Sequence, residues 1–326
     1  GQREDIVLRI DRINPSLTVK LLTLYPRILA FVVNEKETSS SHSGDIAASR
    51  GAGIYSNPEV VCEAGQQCIF DSLDKKLILN PSVRTLEDYR DKVEIFKREE
   101  LNADVRKRSR TMDGKTFKLL LAENFVDAGG IRDSIKNLGL SGVGLLRTDY
   151  MFNYSIPSEE EQYRLYLEIA DNVKGEVVIR TLDKQSDKAT WGIFKDEETG
   201  LRFSLGTREG MEIFRSQVRA IMRANADSRR KNICLSMPMV STKEEVRRIS
   251  DFLDGLGGEI RRVKICAMIE TPEAVRNIDY IVKHFDSFSI GTNDLTKHTF
   301  NIDRDKDEHY YATPQYRIFS DIKKVA

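Results

Sequence analysis

Val178-Ile179-Arg180-Thr181-Leu182-Asp183 is an apolar run with a charged residue where it gives way to a loop, and most of a series of such runs along the chain end on a charged or polar residue. Upstream stand Leu120-Leu121-Ala122-Glu123-Asn124 and Leu145-Leu146-Arg147-Thr148-Asp149. Downstream come Met237-Pro238-Met239, Met268-Ile269-Glu270-Thr271-Pro272 and Ser289-Ile290-Gly291-Thr292-Asn293-Asp294. Helical stretches at 158–171, 209–225, 242–256 and 273–284 separate most of these runs, so the pattern predicts an α/β fold with a parallel sheet of the (β/α) barrel type. Catalytic groups in such barrels come from the C-terminal ends of several strands, so arginines and carboxylates at these ends are expected to converge. An eight-stranded barrel needs two more strands than the six seen here. Only a helix-like stretch, 315–326, follows the sixth, and the barrel is expected to be incomplete.

Outward from the barrel, residues 1–82 alternate short apolar runs with turns: 6–8, 28–33, 53–55, 68–70 and 77–79. They predict a small β-rich α/β domain. Residues 83–112 are charge-rich and carry Leu86, Tyr89, Val93 and Phe96 at helical spacing, which predicts a long amphipathic linker helix. The barrel domain is then 113–326.

The 326 residues, 40% of them hydrophobic, are enough for two cores. Charge is heavy but balanced, 51 basic against 51 acidic residues, which argues against nucleic acid or an anionic membrane as a partner. Cys62, Cys68, Cys234 and Cys266 have neither zinc spacing nor a disulfide framework, which predicts a reduced, cytoplasmic protein. No apolar run approaches a membrane span, so no membrane insertion is expected. The chain opens on Gly1 rather than Met, as expected of a fragment or a processed product.

Glu270 and Asp294 end successive strands, and two such carboxylates suit Mg²⁺, which completes its octahedron with water and phosphate oxygens. The alternative is a helix-capping Asp and a salt-bridged Glu. Arg147, Arg180 and Arg208 recur at or just beyond strand ends, and Arg304 follows Asp294 by ten residues. Guanidinium forks match phosphate and carboxylate oxygens, so together they could hold a doubly anionic enol phosphate acid. His42 lies in Glu37-Thr38-Ser39-Ser40-Ser41-His42-Ser43-Gly44-Asp45, ahead of a helix-compatible stretch. Its imidazole could accept a phosphoryl group there, or it is a surface histidine in a serine-rich loop. His284, His298 and His309 show no partner pattern.

Five segments carry a family resemblance: Gly142-Val143-Gly144-Leu145-Leu146-Arg147-Thr148-Asp149, Ile179-Arg180-Thr181-Leu182-Asp183, Met237-Pro238-Met239-Val240-Ser241-Thr242-Lys243-Glu244-Glu245-Val246, Met268-Ile269-Glu270-Thr271-Pro272, and 287–296. In these the chain resembles Enzyme I of the bacterial phosphoenolpyruvate (PEP)-dependent sugar phosphotransferase system, over nearly its whole length. The resemblance implies a swivelling phosphohistidine domain, a linker helix and a PEP-binding barrel. Arg147, Arg180 and Arg208 would bind the phosphoryl group, Glu270 and Asp294 the Mg²⁺, and Asn293 with Arg304 the carboxylate side. His42 would carry the phosphoryl group to a histidine-containing phosphocarrier protein, and the full-length protein would be a homodimer.

The chain also departs from that family. The family's Gly-Gly-Arg-Thr-Ser-His loop reads Glu37-Thr38-Ser39-Ser40-Ser41-His42, and Gly-Gly-Asp-Lys after the second arginine reads Gln185-Ser186-Asp187-Lys188. Thr-Glu-Phe is Thr148-Asp149-Tyr150, and the family's catalytic cysteine belongs to a later strand, whose motif neither Cys234 nor Cys266 occupies. Two further readings follow: a relative of PEP synthase or pyruvate phosphate dikinase, and a degenerate module that binds PEP and Mg²⁺ without passing phosphate on.

Overall fold

The computed structural model describes residues 5–13, 15–25, 27–34, 43–44, 47, 51–57, 59–102, 110–123, 128–152, 155–184, 194, 198, 200–257 and 263–302. The chain divides into two compact units, Gly1–Lys118 and Leu119–Ala326.

In the first unit, β1 (Ile6–Ile10), β2 (Ile28–Val33) and β3 (Gly53–Ser56) form a parallel sheet in that order, with α1 (Pro15–Leu24) crossing between β1 and β2. β2 reads Ile-Leu-Ala-Phe-Val-Val and is buried at every position but Leu29, as expected of a central parallel strand. β4 (Cys68–Asp71) and β5 (Lys76–Leu79) make an antiparallel hairpin. Phe70 lays its ring on the α-carbon of Gly53, where a Cβ would stand 2.0 Å from Cε1. Asp71 then fixes the hairpin turn: Oδ1 accepts from the N–H groups of Leu73 and Asp74 at 3.0 Å, and Oδ2 takes Lys92 Nζ at 2.7 Å. Lys92 projects from α2 (Val83–Asn102), whose first turn is capped by Ser82 Oγ accepting from Thr85 N–H.

Among the described residues, the second unit is built on six parallel strands in sequence order: β6 (Leu121–Glu123), β7 (Val143–Arg147), β8 (Val177–Arg180), β9 (Ile233–Met237), β10 (Lys264–Ile269) and β11 (Ser287–Ile290). Each coincides with one of the punctuated runs of the sequence. Between them lie α3 (Ala128–Leu138), α4 (Glu159–Asn172), α5 (Gly200–Gly206), α6 (Arg208–Asp227), α7 (Lys243–Asp254), α8 (Pro272–Arg276) and α9 (Ile278–Ile281), with α10 (Thr292–Phe300) after β11. Capping boxes start α4 (Ser158 with Glu161) and α7 (Thr242 with Glu245), each worth about 1 kcal/mol. The expected helix over 273–284 is two short ones meeting at Asn277. That side chain turns away to donate to Ser241 O at 2.9 Å.

Alternation along the strands separates two faces. Val177 and Ile179, Ile233, Leu235 and Met237, and Ala267 and Ile269 join the helices in one core with Tyr166, Phe214 and Val218. The other face carries Val178, Arg180, Cys234, Ser236 and Cys266, with a small cluster of Val178, Cys234 and Cys266 at its base. A basic side chain on that second face must find counter-charges in the loops above it. The expected helix at 315–326 lies outside the described residues.

Candidate functional site

Arg147 and Arg180 close adjacent strands and are register partners. The Arg180 side chain is 4% exposed and lies between two acids. Nη2 meets Asp149 Oδ2 at 2.5 Å and Nη1 meets Asp183 Oδ2 at 3.3 Å. Asp149 opens a 3₁₀ turn after β7, and its Oδ1 accepts the Asp183 N–H at 3.0 Å, so one carboxylate joins both strand ends. Below it a buried polar network holds the same loops. Gln217 accepts the Leu182 N–H at 2.7 Å and donates to Thr148 Oγ1 and the Tyr166 hydroxyl, while Thr148 donates to Arg180 O. A satisfied network of this kind in a low-dielectric interior fixes one geometry. Burial opposes the guanidinium charge, but Asp149, Asp183, Glu270 and Asp294 outweigh it and raise the Arg180 pKa.

Glu270 follows β10 and is buried. Its Oε2 accepts the Met239 N–H at 2.9 Å, with Met239 in the left-handed region at φ 57°. Its Oε1 lies against Gly291, where a Cβ would stand 2.3 Å away. Only glycine at the end of β11 therefore leaves room for this carboxylate. Ser241 Oγ and Thr271 Oγ1, 2.7 Å apart, tie the loops on either side. Burial pushes the Glu270 carboxyl up to about 7; Arg180 opposes the rise, and repulsion from Asp183 and Asp294 adds to it.

The structure thus brings Arg180, Glu270 and Asp294 within electrostatic reach of one another, with Arg147 at the adjoining strand end. Asp294, half-buried, and Asn293, exposed, lie in the first turn of α10. The structure does not bring Arg208 into this group: it opens α6 with its side chain 94% exposed and pairs with Glu212 at 3.2 Å. His42 and Arg304 lie outside the described residues, as do 185–188. The sequence pattern assigns no role to Asp149, Asp183, Gln217 or Gly291. Asp149 and Asp183 carried a signal, standing two and three residues after the strand-end arginines.

Among the described residues no cluster of three or more His, Cys, Asp or Glu could enclose a metal. A magnesium ion needs fewer, since it keeps waters and takes substrate oxygens beside one or two carboxylates. Glu270, just after β10, and Asp294, in the first turn of α10, are mutually repelling carboxylates, which is the donor set such a cation relieves. The residues present fit it. Among the described residues no helix is long and apolar enough to cross a membrane.

A family model described as PEP-utilising enzyme, PEP-binding domain, matches residues 78–323. The chain belongs to that family. Its match takes in the strand-end cluster entire, and begins ahead of α2. Among curated relatives, the phosphoenolpyruvate-protein phosphotransferase of Buchnera aphidicola (from Schizaphis graminum) is 33% identical over 278 residues, covering 79% of this chain and 47% of the relative. The protein of that name from Haemophilus influenzae is 28% identical over 99% of this chain and 58% of its own length. That from Staphylococcus carnosus is 29% identical over 96% and 56%. The chain therefore spans about half the length of the curated relatives it matches.

Proposed function

We propose that the chain binds phosphoenolpyruvate with Mg²⁺ at the strand-end cluster and takes its phosphoryl group onto His42, for delivery to a histidine-containing phosphocarrier protein. The observation that carries this reading is the buried constellation of Arg180, Asp149, Asp183 and Glu270 at the C-terminal strand ends. Such ends hold the chemistry of (β/α) sheets, and this one lies inside a match to a PEP-binding family. The names of the relatives support the transfer step.

In this reading Arg147 and Arg180 hold the phosphoryl oxygens, with Arg208 turning inward to join them. Asn293 and Arg304 take the carboxylate. Glu270 and Asp294 would hold Mg²⁺, which neutralises charge on the phosphoryl oxygens. The P–O bond to the enol oxygen breaks as a bond forms to His42 Nε2, leaving the pyruvate enolate. Transfer of this kind rests on positioning and on neutralising charge. Residues 1–82 would be the phosphohistidine domain and 83–112 the linker helix, in a cytoplasmic protein that dimerises at full length.

The altered loop before His42 favours a second reading, a module that binds PEP and Mg²⁺ without transfer. Intact mass after incubation with PEP and Mg²⁺ separates the two. A gain of one phosphoryl group that His42→Ala abolishes is the expected result; PEP binding with no mass gain leaves the binding module.

A further inference from the structure

Two buried polar atoms on the inner face of the second sheet have no hydrogen-bond partner among the described residues: Arg180 Nε and Ser236 Oγ. Arg180 and Ser236 are register partners on β8 and β9, so their side chains leave the same face side by side. Both residues are almost wholly buried, Ser236 at 0% and Arg180 at 3% exposure. Isolated polar atoms at that depth are costly, and buried donors in folded proteins are nearly always paired with protein, water or ligand. The Nη edge of Arg180 is already given to Asp149 and Asp183, which leaves Nε–H as the edge that points elsewhere.

The surroundings of Ser236 sharpen its role. Its backbone carbonyl accepts the Thr181 N–H at 3.0 Å, so the strand is held on the Arg180 side. On the other side its register partner is Cys266. Burial pushes the Cys266 thiol up, with the hydroxyls of Ser287, Ser289 and Ser236 opposing the rise, so Ser236 Oγ lies near that sulfur but has no partner at hydrogen-bonding geometry. A donor pair made of a guanidinium N–H and a hydroxyl is selective for an anionic oxygen.

We propose that Ser236 is a substrate-binding residue: its hydroxyl and Arg180 Nε–H together hold one oxygen of the phosphoryl group at the floor of the site. This rests on the PEP-binding reading above and adds to it a residue and a direction of approach. Arg180 serves through its Nε edge while Asp149 and Asp183 hold the Nη edge in place, so the guanidinium cannot rotate away from the ligand.

The test is calorimetric titration of the chain with PEP in the presence of Mg²⁺, and with inorganic phosphate and pyruvate as separate competitors. Ser236→Ala should weaken PEP and inorganic phosphate about tenfold, as expected for one hydrogen bond to a charged group, and leave pyruvate unchanged. Its melting temperature should stay level, because removing a buried hydroxyl without a partner costs the fold little. Ser236→Cys, which leaves no cavity but replaces the hydroxyl with a weak donor, should show a comparable loss and so exclude a cavity effect. PEP affinity within twofold of the parent in Ser236→Ala overturns the proposal, and an equal loss for pyruvate and phosphate overturns the assignment to the phosphoryl group. A parent chain that binds neither PEP nor phosphate overturns the functional reading as well, which separates the two failures.

Discussion

Arg180 and Arg208 both stand at junctions between elements of the second unit, yet Arg180 is held between Asp149 and Asp183 with its side chain 4% exposed, while Arg208 lies 94% exposed beside Glu212. The difference comes from the element each one belongs to: Arg180 ends a strand and Arg208 begins a helix. A strand end on the inner face of a parallel sheet has nowhere to send a guanidinium except into the loops of neighbouring strands, which here supply two acids. The first turn of a helix has water on one side, and an acid four residues on is its nearest partner. Buried charge is then a marker of position: it survives only where partners are fixed.

Arg180→Met should have the largest effect. It leaves Asp149 and Asp183 buried without their cation, and denaturant unfolding should show a loss of about 3–5 kcal/mol. A loss as small as that of an exposed arginine would break the comparison. Gly291→Ala comes next. Its backbone, at φ −84°, accepts alanine, so the whole effect is the collision with Glu270, which must leave the Met239 N–H. Overpacking of this kind costs about 1–3 kcal/mol, and Mg²⁺-dependent PEP binding should weaken by about tenfold or more.

Asp71 in the first unit is an intermediate case, a buried acid with a half-exposed partner in Lys92. The Lys92 ammonium, then the Asp74 N–H, holds its carboxyl well below the usual range. A folded-state pKa depressed in this way contributes stability that is complete above about pH 4 and is lost as pH falls through the folded value. Urea melts should therefore show Asp71→Asn less stable than the parent at pH 7, with the gap closing as pH falls below about 4. A gap that persists at low pH would place the contribution in packing. Smallest is Arg208→Ala, which should shift stability by no more than about 0.5 kcal/mol. A fall in PEP affinity with that variant would show that the side chain turns inward on binding.

Much of this was legible in the sequence because buried parallel strands read as unbroken apolar runs, and their polar ends mark the mouth of the sheet. Ser158 with Glu161 and Thr242 with Glu245 announce two helices directly. α3 was not read, since Gly129-Gly130 in its first turn has the look of a loop. The helix forms because Ala128 and Ile131 are buried in the core. The split at Asn277 depends on a carbonyl of Ser241, distant in sequence and invisible to periodicity. For the site, spacing placed Arg180 and Glu270 at strand ends but did not reveal the Asp149 and Asp183 clamp. Which acid faces which arginine is set by register between strands. Arg208 shows the converse: its place in the sequence suggested a position at or just beyond a strand end, and it begins a helix.

The central claim is that the strand-end cluster is a PEP site, and calorimetric titration of the chain with PEP, with and without Mg²⁺, tests it most directly. Saturable binding that needs Mg²⁺ and disappears in Glu270→Gln, a near-isosteric change that keeps the fold, is the predicted result. Binding that is indifferent to both Mg²⁺ and Glu270, or no binding by a folded chain, would contradict it.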